Sequence, residues 1–145
     1  MNPELEPSFE TLVHEYTTLI RERHLDSFGH VNNAQYMMLF EEARWEMCTS
    51  RGYGLKDVEQ TQVGTAVLEC SIRFKRELTL RELITLRSKV LQVGYKSVTI
   101  RQEILKEDGK LAADSSFLMG CFDLKARKLM VPPPIWLAAI TGIKS

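Results

Sequence analysis

The apolar period of this chain changes once, and that change limits the folds open to it. Tyr36, Phe40, Ala43 and Met47 recur on one stripe at helical spacing. Leu39 and Trp45 widen the stripe, while Glu41, Arg44 and Glu46 point away from its centre. Past residue 62 the period is two: Leu68, Cys70, Ile72 and Phe74 alternate with Glu69, Ser71, Arg73 and Lys75. Ile84, Leu86 and Val90 mark another strand, Val98, Ile100 and Ile104 the next, and Lys110 to Asp123 a fifth. Gly94-Tyr95 reads as one hairpin connection and Asp108-Gly109 as a type I′ turn. The small residues Ala112, Ala113, Ser115, Ser116 and Gly120 predict close packing over the fifth strand.

Ahead of the helix, His14 to Leu25 reads as a first strand. Residues 53–62 read as a polar connection, Leu129 to Val131 as a short extended piece, and Ile135 to Ile143 as a closing helix behind three prolines. One strand, one long helix and then a run of antiparallel strands is an α+β layer arrangement, not a doubly wound sheet. A single antiparallel sheet of about five strands around one helix accounts for every element.

At 145 residues the chain is read as one domain, 1–145, with 1–12 a loose polar lead. Nineteen basic residues balance nineteen acidic ones, which argues against a general affinity for nucleic acid. No apolar run approaches the roughly 20 residues that cross a bilayer. Met1 to Glu10 is acidic and lacks the apolar core of a signal peptide, so no membrane partner is expected. Cys48, Cys70 and Cys121 are far apart and odd in number. They read as buried thiols in a reducing compartment, hence a cytoplasmic location.

Several chemistries are absent as motifs. There is no G-x-S-x-G elbow, no phosphate loop and no dinucleotide fingerprint. His14, His24 and His30 lack metal-ligand spacing, so no metal is expected. His14 and His24 read as solvent-facing or strand-edge residues. Arg73, Lys75, Arg76, Arg87 and Lys89 read as one side of adjacent strands, either a solvated face or a contact for ligand phosphates.

What remains is Asp26, His30 and the helix start. The first N–H groups of a helix have no partner inside it and present partial positive charge. Asn32 is a good N-cap, and Gln35 stands where a capping-box partner would. If Asn32 bonds to Ala34 or Gln35, the N–H of Asn33 is left free as a candidate oxyanion donor. A carboxylate close to such a donor suits hydrolysis of an activated acyl group. One oxyanion donor is worth about 3–4 kcal/mol. A positioned base adds about two to four powers of ten in rate. Thioesters are reactive enough for that machinery. The rival reading is a well-capped strand-to-helix connection without chemistry.

Asp26-x-x-Gly29-His30-Val31-Asn32-Asn33-x-x-Tyr36, followed by Phe40-Glu41-x-Ala43-Arg44, resembles the signature of hot-dog-fold acyl thioesterases. The group meant is the 4-hydroxybenzoyl-CoA thioesterase type, with the plant acyl-ACP thioesterases. The resemblance implies a sheet wrapped around the helix and hydrolysis of acyl-CoA without a cofactor. It also implies a homodimer or homotetramer with active sites at the dimer interface. It places Asp26 as the catalytic carboxylate, the Asn33 N–H as the carbonyl donor and His30 in a supporting role. Gly29, Val31, Asn32 and Tyr36 would contact substrate, and Tyr36, Met37 and Phe40 are weighed as an acyl pocket against plain core. Phe28 stands where the plant pattern has asparagine, and Arg81-Glu82 where many relatives have Gly-Asp. The rivals are an acyl-CoA binding protein without turnover, an acyl-ACP thioesterase, and a hot-dog dehydratase or hydratase.

Overall fold

The computed structural model describes residues 12–144, so the loose lead expected for 1–12 lies, except for Leu12, outside the described residues. Its elements are β1 (His14–Leu19), α1 (Asn33–Ser50), α2 (Leu55–Thr61), β2 (Val63–Phe74), β3 (Leu83–Val93), β4 (Ser97–Leu105), β5 (Leu111–Asp123), β6 (Lys128–Leu129) and α3 (Pro134–Thr141). All strands join one antiparallel sheet in the order β1-β3-β4-β5-β2, with β6 paired to the end of β5. Strand alternation supplies the inner face: Ile84, Leu86 and Val90 from β3, Val98, Ile100 and Ile104 from β4, Phe117 and Met119 from β5.

Against this face α1 buries Tyr36, Leu39, Phe40, Ala43 and Met47. The Phe40 ring meets Phe117 of β5 at 5.7 Å, and Tyr36 meets Phe74 of β2 edge-on at 4.9 Å. Tyr16 of β1 donates to Glu42 at 2.8 Å. Strands from both sheet edges thus reach one helix, which requires the sheet to curl around it. This is the α+β hot-dog architecture that the resemblance implied.

One polar group lies at the centre of that core. Gln102 of β4 is fully buried; its Nε2 donates to Phe40 O (3.1 Å) and Ser88 Oγ (2.9 Å). Its Oε1 accepts from Arg44 Nη1 at 2.9 Å, and the guanidinium lies 4.4 Å from the Phe117 ring. Arg44 therefore faces the sheet, not away from it as its place beside the stripe suggested. Burial lowers its pKa. The amide and the aromatic ring supply the partners that a half-buried cation needs.

Four local readings change. The first strand ends at Leu19, and a 3₁₀ turn, Glu22–His24, follows. The polar connection contains α2, started by Gly54 N–H on Asp57 Oδ2 (2.9 Å) and ended at Gln62 in the left-handed region, φ 60°. The Asp108-Gly109 connection is not type I′, which needs two residues with positive φ. Only Gly109 has one (84°), and Lys106 accepts from Gly109 N–H while donating to Lys110 O, both at 2.8 Å. This is a three-residue loop with a bulge. Finally, Arg73, Lys75 and Arg76 leave β2 on one sheet edge, whereas Arg87 and Lys89 sit on β3, with β5 and β4 between them.

Arg81 keeps a left-handed backbone, φ 66°, where the resemblance led one to look for glycine. Close packing over β5 is present: a Cβ on Gly120 would meet Leu129 Cδ2 at 2.5 Å and Leu68 Cδ1 at 3.2 Å. Of the cysteines, Cys121 is buried and Cys48 half-buried, but Cys70 is exposed because β2 is an edge strand.

Asn32 caps α1 as expected, its side-chain oxygen accepting from Ala34 N–H at 2.9 Å. Asn32→Ala is therefore expected to lower unfolding stability by about 1 kcal/mol in denaturant titration. Burial pushes the thiols of Cys48 and Cys121 up to about 11, so at pH 8 both are neutral. A thiol reagent at that pH should leave Cys48 and Cys121 unmodified in the native protein and modify all three cysteines once it is unfolded. Fast modification of either of these two in the native protein would contradict this packing.

Candidate active site

The loop between β1 and α1 is closed on itself. Leu25 and Val31 form an isolated bridge, Asp26 N–H donates to His30 O (2.8 Å), and Gly29 N–H donates to Asp26 O (3.1 Å). The reversal needs Gly29 at φ 82°. Asp26 Oδ1 accepts from Phe28 N–H at 2.8 Å and from His30 N–H at 3.3 Å. Oδ2 has no partner among the described residues. The carboxylate is therefore held by one oxygen and free at the other.

His24 anchors this loop, a role its sequence reading as an exposed residue missed. It is buried; its Nδ1 accepts from Arg21 N–H (2.9 Å) and its carbonyl accepts from Asn32 N–H (3.0 Å). Burial, then the nearby Arg23, lowers the pKa of the ring, which favours the neutral form that can accept. The bond to His24 also explains why Gln35 forms no capping box: the Asn32 N–H it would accept from is already taken. Gln35 instead donates its backbone N–H to Asn32 O at 2.9 Å. With Ala34 and Gln35 both bonded to Asn32, the Asn33 N–H is left without an acceptor among the described residues.

His30 is exposed, and although its backbone N–H reaches Asp26 Oδ1, its imidazole does not meet the Asp26 side chain. Its Nε2 lies 3.3 Å from Glu77 Oε2, a carboxylate on the segment after β2. That contact and the Tyr36–Phe74 ring pair bring residues 73–77 beside the loop and the first turn of α1. Lys75 and Arg76 are exposed there without a carboxylate partner among the described residues, whereas Arg73 faces the other side of the sheet, near Arg101 and Asp114. Arg87, by contrast, faces Glu15 at 3.4 Å.

The motif residues separate into two sets. Gly29, His30, Asn32 and Asn33 are exposed, and Asp26 is half-buried. Val31 and Tyr36 are in the core. Burial, then Glu77 and Glu82, raises the pKa of Tyr36. Phe40 is core, and Met37 is partly exposed with its sulfur 3.9 Å from Cys70 Sγ. Among the described residues no group of His, Cys, Asp and Glu is arranged to hold a metal ion.

A cavity of about 350 Å³ opens beside the second half of α1, lined by residues of α1, α2, β2, β4, β5 and α3. Sequence spacing could not show it, because Trp136 and Ile140 are brought there from the far end of the chain.

The model of the thioesterase-like superfamily matches residues 20–140. Long-chain acyl-CoA thioesterase FadM of Escherichia coli K12 is 35% identical over 118 residues, covering 77% of this chain and 84% of that one. Among solved structures, the probable thioesterase YbaW of Escherichia coli superposes with a TM-score of 0.76 at 28% identity, over 88% of this chain and 98% of that one. A Staphylococcus aureus protein solved in complex with CoA gives a TM-score of 0.82 at 22% identity, over 90% and 82%. The last of these speaks to the fold. Matched over most of its length by the family and by a curated relative, the chain belongs to the thioesterase-like superfamily.

Proposed function

We propose that this chain hydrolyses acyl-CoA thioesters to the free acid and CoA, with Asp26 and the N–H of Asn33 as its working groups. The observation that carries the assignment is the pairing of a carboxylate free at one oxygen with a helix-start N–H that lacks an acceptor. Family membership and the acyl-CoA activity printed for the curated relative support the reaction class. In the proposed reaction Asp26 Oδ2 takes a proton from water as the water oxygen bonds to the thioester carbon. The Asn33 N–H, helped by the positive end of α1, holds the resulting oxyanion. The intermediate collapses by breaking the C–S bond, and the departing thiolate takes up the proton. His30 acts one step removed, tying the loop to Glu77.

The alternative, in which Oδ2 itself bonds to the carbonyl, uses the same free oxygen. Single turnover in oxygen-18 water distinguishes them: label found in Asp26 indicates covalent attack. The nucleotide phosphates of CoA are assigned to Lys75 and Arg76, the cations beside the loop. We also infer a homodimer. Among the described residues β2 has a neighbour on one side only, and it exposes Val67, Leu68 and Phe74 along a twelve-residue edge. Such an edge invites pairing with a second copy. A monomer in sedimentation equilibrium at micromolar concentration would remove that part of the reading.

Asp26→Asn keeps both bonds at Oδ1 and removes the base. It is expected to lower kcat about a hundredfold or more with an unchanged melting temperature. Full activity in that variant would move the chemistry elsewhere. The double variant Lys75→Glu/Arg76→Glu is expected to raise KM for acyl-CoA about tenfold. It should leave thioesters of N-acetylcysteamine, which lack the phosphates, unaffected. An equal effect on both substrates would sink the phosphate assignment.

A further inference from the structure

We propose that the cavity beside the second half of α1 receives the far end of the substrate's acyl chain and so sets a minimum chain length. This inference rests on the acyl-CoA reading above. Its first support is position. Ala34, Met37, Glu41, Trp45 and Cys48 share one stripe of α1, at spacings of three, four, four and three residues. The stripe starts beside Asn33 and runs into the cavity, which Glu41, Trp45 and Cys48 line.

The second support is chemistry. The rim residues Glu41, Trp45 and Val67 are exposed, whereas the floor residues Ile100, Met119, Trp136 and Ala139 are buried. Water in an apolar hollow makes few hydrogen bonds, so an alkyl chain displaces it favourably. The wall does not call for a polar ligand group. Arg44 already has Gln102 and the Phe117 ring, and Trp136 Nε1 donates to Thr65 Oγ1 at 3.1 Å.

The third support is length. At a rise of about 1.5 Å per residue, Glu41 lies about 12 Å and Trp45 about 18 Å along the axis from Asn33. An extended chain advances about 1.2 Å per bond, judged from the reach of a polypeptide. A chain whose carbonyl sits at the Asn33 N–H thus meets the rim after about ten carbons and Trp45 after about fifteen. An octanoyl chain stops short, and a hexadecanoyl chain enters.

The chain contains two tryptophans, Trp45 and Trp136, and both line this cavity. Indole emission therefore reports its occupancy. The probes are thioether analogues of octanoyl-CoA and hexadecanoyl-CoA, which cannot be hydrolysed, each carrying bromine on its terminal carbon. The bromohexadecyl probe is expected to quench more than half of the emission saturably, and the bromooctyl probe little. Equal quenching by the two, no binding, or binding of the long probe by calorimetry without quenching would overturn the proposal. In steady-state hydrolysis Ala139→Phe, which fills the floor, should lower kcat/KM for hexadecanoyl-CoA at least tenfold. Octanoyl-CoA should change less than twofold. Val58→Phe, on the half-buried wall supplied by α2, should discriminate in the same direction and covers the case in which the floor variant does not fold. Equal losses on both substrates would overturn the cavity assignment. Turnover of octanoyl-CoA without quenching by the long probe sinks the cavity alone, whereas no turnover of any acyl-CoA, with the long probe still quenching, sinks the hydrolase reading alone.

Discussion

Burial of one face of α1 against the inner face of the sheet is the contact on which the rest of this molecule depends. The helix offers Tyr36, Phe40, Ala43 and Met47 as a continuous apolar surface. The partners for that surface include Phe74 from the edge strand β2 and Phe117 from the interior strand β5, while Tyr16 from the opposite edge strand β1 bonds to Glu42 on the flank of the helix. Covering the helix therefore curls the sheet. The curl leaves the N-terminus of α1 at an open end, where Asn33 is exposed and its N–H has no acceptor among the described residues. Gln102 ties the arrangement together from within, because its amide bonds at once to the helix backbone, to β3 and to Arg44.

The same frame explains why the loop before α1 is well ordered without being buried. A chain of bonds within the loop fixes its backbone. His24 holds Asn32, Asn32 holds Ala34 and Gln35, and Asp26 holds Phe28 and His30. Asp26 Oδ2 and the Asn33 N–H stand outside these bonds among the described residues. Groups fixed in this way need little reorganisation when a substrate arrives, and that is where preorganised sites gain their rate.

What could be read from the sequence was local. The α1 stripe, the period-two strands and the Asn32 cap each depend on residues at most a few positions apart, so spacing exposes them. The short helix α2 escaped because seven residues carrying Leu55 and Val58 show no full apolar stripe. His24 escaped because the bond that gives it its role comes from Asn32, eight residues further on, and spacing does not show it. The alternation of the first strand ran on past Leu19, and only the pairing partner decides where a strand stops: β3 begins at Leu83, opposite Leu19. Arg73 and Arg87 look like neighbours in a list of strands, yet strand order is not sequence order, and two strands separate them. The cavity was invisible for the same reason, since α3 closes it from residues near the end of the chain.

That strand order also has a meaning in time. β3, β4 and β5 form consecutive hairpins, with Val93 opposite Val98 and Leu105 opposite Leu111, so their pairing closes short loops. β1 must find β3 across more than sixty residues, as with Leu19 and Leu83. β2 must find β5 across some forty, as with Phe74 and Ala113. Short loops close sooner than long ones. The topology therefore implies, as a hypothesis readable in folding φ-values near zero at Tyr36, that the central meander assembles first. The helix and its loop would then dock last, and the part of the chain that does the chemistry would be the last to acquire its shape.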